Sequence, residues 1–174
     1  RAAYAGERFV HVTDLPPATK WVAGSNSAQV TARVDPRTGR LLGRDILDAE
    51  LRSGTRIVLE TEHWVAYVPF AARWPVEVHL APRRDVPDLP ALTDAERTDL
   101  AGAYLELLRL LDLFFVAPDG AAIPLPYIAG WHQAPVRAGR ELSRLHLEVF
   151  SVLRAPGKLK YLAGVESGMA AWIS

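Results

Sequence analysis

The sequence predicts an α+β domain in which a mainly antiparallel sheet is covered by helix. Three observations carry that expectation. Short strand-like segments at 56–61, 63–68 and 76–81 form one group, and segments at 125–132 and 144–150 form another. A long amphipathic stretch, 94–115, lies between the groups. The chain has 174 residues, 49% apolar and 23% charged, which is enough for one domain with its own core.

The ends read differently from the middle. Residues 1–34 form a divergent, loosely organised leader, with a short strand candidate at Phe9–Val12 stopped by Pro16-Pro17. Asp35-Pro36-Arg37-Thr38-Gly39 is a turn signal, and residues 35–174 are read as the domain proper. A short helix is expected from Ile46 to Arg52, capped by Asp45, with Ile46, Leu47 and Leu51 inward and Ser53-Gly54 as its stop. In the strand candidate at 76–81, Val76, Val78 and Leu80 share one face while Glu77 and His79 share the other.

Thr93 followed by Glu96 is a capping box and opens the long helix. Leu100, Tyr104, Leu107, Leu108, Leu111, Phe114 and Phe115 recur at helical spacing, a stripe that should lie across the sheet. Residues 116–122 read as a glycine-containing loop and 137–142 as a polar turn. Lys158–Ala163 is strand or loop, and the tail is a final helical turn or two.

Charge excludes some classes of function. Twenty basic residues balance twenty acidic ones, so no net field draws in nucleic acid or an anionic membrane. There is no cysteine, which removes disulfides, thiolate metal sites and a cysteine nucleophile, and leans the expectation toward the cytoplasm. No apolar run approaches bilayer length, and the N-terminus lacks a signal-peptide core.

Chemistry concentrates late in the chain. In an alternating strand, Arg144, His146 and Glu148 share one face and Leu145, Leu147 and Val149 the other. His132, in GWHQAP, ends the preceding strand. If the two strands are neighbours, His132, His146 and Glu148 converge, either as a hydrogen-bonded trio or as ligands for a borderline ion such as zinc or iron. Arg154, Lys158 and Lys160 flank Pro156-Gly157, and their charges suit either phosphate oxygens or a solvated turn. No Walker, HExxH, GxSxG or dinucleotide-binding glycine pattern is present.

Three blocks in order, ETEHWVAYVPFAARWPVEVHLAPRRDVPDLPALTDAERTDLAGAYLELL, PYIAGWHQAP and LHLEVFSVLRAPGKLKYLAGVE, resemble the C-terminal half of galactose-1-phosphate uridylyltransferases. The resemblance spans residues 35–173 and is closest in wording to the actinobacterial branch. It implies a histidine-triad-like, antiparallel half-barrel sheet covered by helices. It also implies a role in exchanging a uridylyl group between UDP-glucose or UDP-galactose and a hexose 1-phosphate. The family's nucleophilic histidine lies in a His-Pro-His motif of the other half. None of the five histidines here belongs to such a motif, so no catalytic residue is assigned to this chain.

By the same resemblance, His132 and His146 fall on metal-ligand positions, and Glu148 replaces the second histidine of a pair. Zinc or iron is the implied ion, with no organic cofactor. The alternative is a metal-free network in which Arg144 pairs with Glu148. Lys160, Tyr161, Ala163, Val165 and Glu166 fall on the segment that lines the sugar-nucleotide pocket, although Val165 replaces an aromatic. The resemblance further implies an oligomer and a partner polypeptide carrying the N-terminal half. Two alternatives accompany it: an inactive structural or interaction remnant, and a stand-alone nucleotide hydrolase of histidine-triad type acting through His146.

Overall fold

A computed structural model describes residues 41–136, 140–156 and 158–159. The leader, the Asp35–Gly39 turn and the tail from residue 160 lie outside the described residues.

Helix α1 runs Leu42–Ser53, four residues earlier than its expected start, and Asp45 sits in its first turn rather than at its cap. The N-cap is Leu41, whose side chain cannot cap. Its carbonyl instead accepts from the amides of Arg44 and Asp45 at 3.0 and 3.1 Å. The stop is as read: Gly54 takes φ 65°, a left-handed conformation that suits glycine, and donates to the Glu50 carbonyl.

Strands β1 (Ile57–Glu60), β2 (Trp64–Tyr67) and β3 (Val76–Pro82) follow as an antiparallel meander. Helix α2 (Asp94–Asp112) comes next, then β4 (Ile128–His132) and β5 (His146–Ser151). The sheet order is β1-β2-β3-β5-β4, antiparallel throughout, so β5 inserts between β3 and β4. A separate pair, β6 (Leu153–Ala155) and β7 (Lys158–Leu159), follows, and Arg154 and Lys158 are exposed on it. Among the described residues, no helix is long and apolar enough to cross a membrane.

The capping box of α2 is complete. Thr93 Oγ1 accepts from the Glu96 amide at 3.2 Å, and the Thr93 amide donates to Glu96 Oε2 at 2.8 Å. The helix ends three residues before the apolar stripe does. That early exit lets Phe115 turn into the core while Phe114 stays 57% exposed.

Each face of the sheet has its own helix. Trp64, Val78, Leu80, Leu147 and Val149 meet Ala103, Leu107 and Leu111 of α2 in the larger cluster. On the opposite face, Val65, Tyr67 and Ala81 pack against Leu47 of α1, with Ile46 and Leu51 beside it. The expected helical cover is thus divided between the two faces: α2 lies on one and α1 closes part of the other. The rest of that second face carries Glu77, His79, His146 and Glu148. Strand β5 is consequently buried on both sides, with Leu147 and Glu148 only 1% and 5% exposed.

Candidate functional site

Register assembles the site. His79 of β3 lies opposite Glu148 of β5, and His146 of β5 lies opposite His132 of β4. Directly paired residues in an antiparallel ladder present their side chains on the same face. Three imidazoles therefore come from three adjacent strands and form a row. His79 and His146 have ring centroids 5.6 Å apart, and His146 and His132 stack at 4.6 Å with planes 8° apart. Tyr67 of β2 extends the row, 5.7 Å from His79 and edge-on to it.

Hydrogen bonds fix how each ring is used. His146 Nδ1 lies 3.1 Å from the Arg144 carbonyl, which can only accept, so Nδ1 carries the proton and Nε2 is the bare nitrogen. His132 Nε2 meets Glu148 Oε2 at 3.1 Å, and His79 Nε2 meets Glu77 Oε1 at 3.2 Å. His132 Nδ1 is buried and has no hydrogen-bond partner among the described residues.

Burial and neighbouring charge set the ionisation. Burial first, then the neighbouring His132 and His79, push His146 down to about 3, so it is neutral over the physiological range. For Glu148, burial pushes upward, but hydrogen bonds from His132 and Arg73 outweigh it and hold the carboxyl down at about 2. Arg73 Nη2 donates to Glu148 Oε1 at 2.8 Å. Burial also pushes Glu77 upward. It is outweighed by His79 and by the amides of Trp74 and Arg73, which donate to Oε2 at 2.9 and 2.6 Å.

Arg144 does not reach Glu148. Four residues along a strand span roughly 13 Å, too far for one side chain to bridge while it is held elsewhere. Its guanidinium instead donates to Asp85 Oδ1 at 2.7 Å and to the carbonyl of Pro82, closing the end of β3. A cavity of about 140 Å³ opens beside it, between Gly43 and Ile46 of α1 and Tyr67, His79 and His146 of the sheet.

The implied metal trio is only partly brought together. His132 and Glu148 touch, but His146 is tied to a main-chain carbonyl and lies flat against the His132 ring. Among the described residues, the ligand atoms that lie within 4.8 Å of one another belong to Glu77, His79 and Glu148. The set His132, His146 and Glu148 thus does not fit a common ion. Glu77 and His79 had a signal in the sequence, since alternation in VEVHLAP places both on one face. Arg73, between two prolines, had none. Lys160, Tyr161, Ala163, Val165 and Glu166 lie outside the described residues.

The fold and the sequence place the chain with the uridylyltransferases. Solved structures described as "Structure of uridylyltransferase" and as a uridylyltransferase mutant both superpose with TM-score 0.59. They are 39% and 38% identical and match 76% and 79% of this chain against 39% and 42% of theirs. An ADP-glucose phosphorylase from Arabidopsis thaliana shares the fold at TM-score 0.52 and 22% identity, covering 78% of this chain and 39% of its own. The profile of the family "Galactose-1-phosphate uridyl transferase, C-terminal domain" matches residues 25–155, and the chain belongs to that family.

Galactose-1-phosphate uridylyltransferase of Streptomyces lividans is 49% identical over 106 residues, which is 61% of this chain and 29% of the relative. The enzyme of Rattus norvegicus is 38% identical over 122 residues, 67% of this chain and 31% of the relative. The chain therefore spans about a third of the curated relatives it matches.

Proposed function

We propose that the chain serves as the C-terminal half of a UDP-glucose:hexose-1-phosphate uridylyltransferase, shaping the sugar-nucleotide pocket without supplying the nucleophile. The observation that carries this reading is the match of residues 25–155 to the C-terminal domain of the family. The absence of any His-Pro-His in the sequence is consistent with it. Lys160 would neutralise phosphate oxygens and Glu166 would accept from hexose hydroxyls. Tyr161, Ala163 and Val165 would line the same groove. An N-terminal-half polypeptide would present the imidazole that takes up the uridylyl group. UDP-sugar and hexose 1-phosphate are the ligands on this reading, and the cytoplasm is its setting.

The imidazole–carboxylate face is held by its own contacts. The neutral His146 and the two ionised carboxylates are fixed by contacts within β3, β4 and β5 and by Arg73.

The test is a calorimetric titration of the chain with UDP-glucose, alone and mixed with an N-terminal-half polypeptide, alongside transfer of radiolabelled UMP. Exchange only in the mixture, with label on the partner's histidine, supports the reading. Label trapped covalently on a histidine of the isolated chain overturns it. Binding in neither sample supports the inactive remnant.

One observation favours a second reading, a stand-alone nucleotide hydrolase. His146 presents an unprotonated Nε2 and lines a cavity. Steady UMP release by the isolated chain, abolished in His146→Ala, would establish it.

A further inference from the structure

We propose that Glu77, His79 and Glu148 form a divalent-cation site bridging β3 and β5, in which the Arg73 guanidinium occupies the place a metal takes. The donor set differs from the trio implied by resemblance, since it draws two of its three members from β3.

Geometry supports the site in three ways. The ligand atoms lie within 4.8 Å of one another. They come from adjacent strands whose register, His79 opposite Glu148, is held by a continuous antiparallel ladder. The Glu77 carboxylate is already oriented, because one oxygen accepts from two main-chain amides while the other faces His79. Such support behind a ligand is what fixes its angle toward an ion. Two carboxylate oxygens and an imidazole nitrogen suit a borderline ion such as Zn²⁺.

Charge supplies the reason for a cation. The Glu77 and Glu148 side chains are 3% and 7% exposed, and two buried carboxylates with oxygens within 4.8 Å of one another repel. Arg73 offsets one of them. It is the only guanidinium bonded to the cluster among the described residues, and its side chain is 59% exposed. An exposed head group can swing into water at little cost, whereas the carboxylates cannot leave. A metal would replace the Arg73–Glu148 and His79–Glu77 contacts. His79 becomes a ligand when its ring proton moves from Nε2 to Nδ1, so no other acceptor is required.

The experiment titrates Zn²⁺ alone into the full 174-residue chain against a chromophoric chelator. Circular dichroism on each variant confirms folding. One equivalent should bind saturably, and Glu77→Gln should weaken it at least about tenfold. Arg73→Gln, at an exposed position, should tighten binding several-fold by removing the competing cation. His146→Asn should leave the affinity unchanged. No saturable Zn²⁺ binding overturns the proposal. So does affinity that survives Glu77→Gln but disappears in His146→Asn, and an Arg73→Gln variant that binds no better than the parent removes the competition.

Discussion

The imidazoles of His132 and His146 lie face to face, their centroids 4.6 Å apart, yet each is tied to a different kind of acceptor. His132 donates through Nε2 to a buried carboxylate, and His146 donates through Nδ1 to a main-chain carbonyl. Nitrogen-15 spectra should therefore show the proton on Nε2 of His132 and on Nδ1 of His146, two touching rings. A protonated Nε2 on His146 would mean that the Arg144 carbonyl does not fix it.

Arg144 is a structural clamp, and its loss should be felt globally. It is 7% exposed, and its guanidinium joins Asp85 to the carbonyls of Pro82 and Arg84. Arg144→Ala strips buried carbonyls of their donor and opens space beside Gly43, at a cost of about 2 kcal/mol or more. Thermal denaturation should show a fall of several degrees, at about 2–4 °C per kcal/mol for a chain of this size. An unchanged midpoint would show that water replaces the guanidinium.

Acid should unfold the protein partly through the α2 cap. Glu96 is held at about 2, below the ordinary 4.5, chiefly by the hydrogen bond from Arg84, against burial and with help from Thr93. Its folded value is depressed, so its contribution is complete above about pH 4.5 and lost as pH falls toward 2. Glu96→Gln should be less stable than the parent at pH 6. The gap should shrink below about pH 4.5 and close only as pH nears 2 in urea melts, and a gap constant with pH would assign the loss to packing instead.

Two leucines of the same helix separate core from surface. Leu107 is fully buried, and Leu107→Ala should cost about 2–5 kcal/mol. Leu113, at the C-cap, is 64% exposed, and Leu113→Ala should stay within about 0.5 kcal/mol in the isolated chain. A large loss at Leu113 in chemical denaturation would reveal a partner surface formed between copies.

Local signals made much of this legible. The capping box placed the start of α2 to the residue, and alternation in VEVHLAP and LHLEVF sorted side chains onto the correct faces. The start of α1 was hidden because its cap is a leucine backbone, which leaves no trace in side-chain chemistry. The assembly of Glu77, His79 and Glu148 was hidden for a different reason. Its partners are 75 residues apart in the case of Arg73 and Glu148, and their meeting depends on strand order, not on period. The pairing of Arg144 with Asp85 follows from the same order.

That order also dictates when the protein can mature during synthesis. Strand β5 emerges from a ribosome after β1 to β4, yet it fills the slot beside β3. Until it arrives, a nascent chain holding the first three strands and α2 displays an unzipped row of amides and carbonyls flanked by Val76, Val78 and Leu80. Such an intermediate invites pairing with its neighbours on a polysome, so chaperone demand should peak just before β5 is translated.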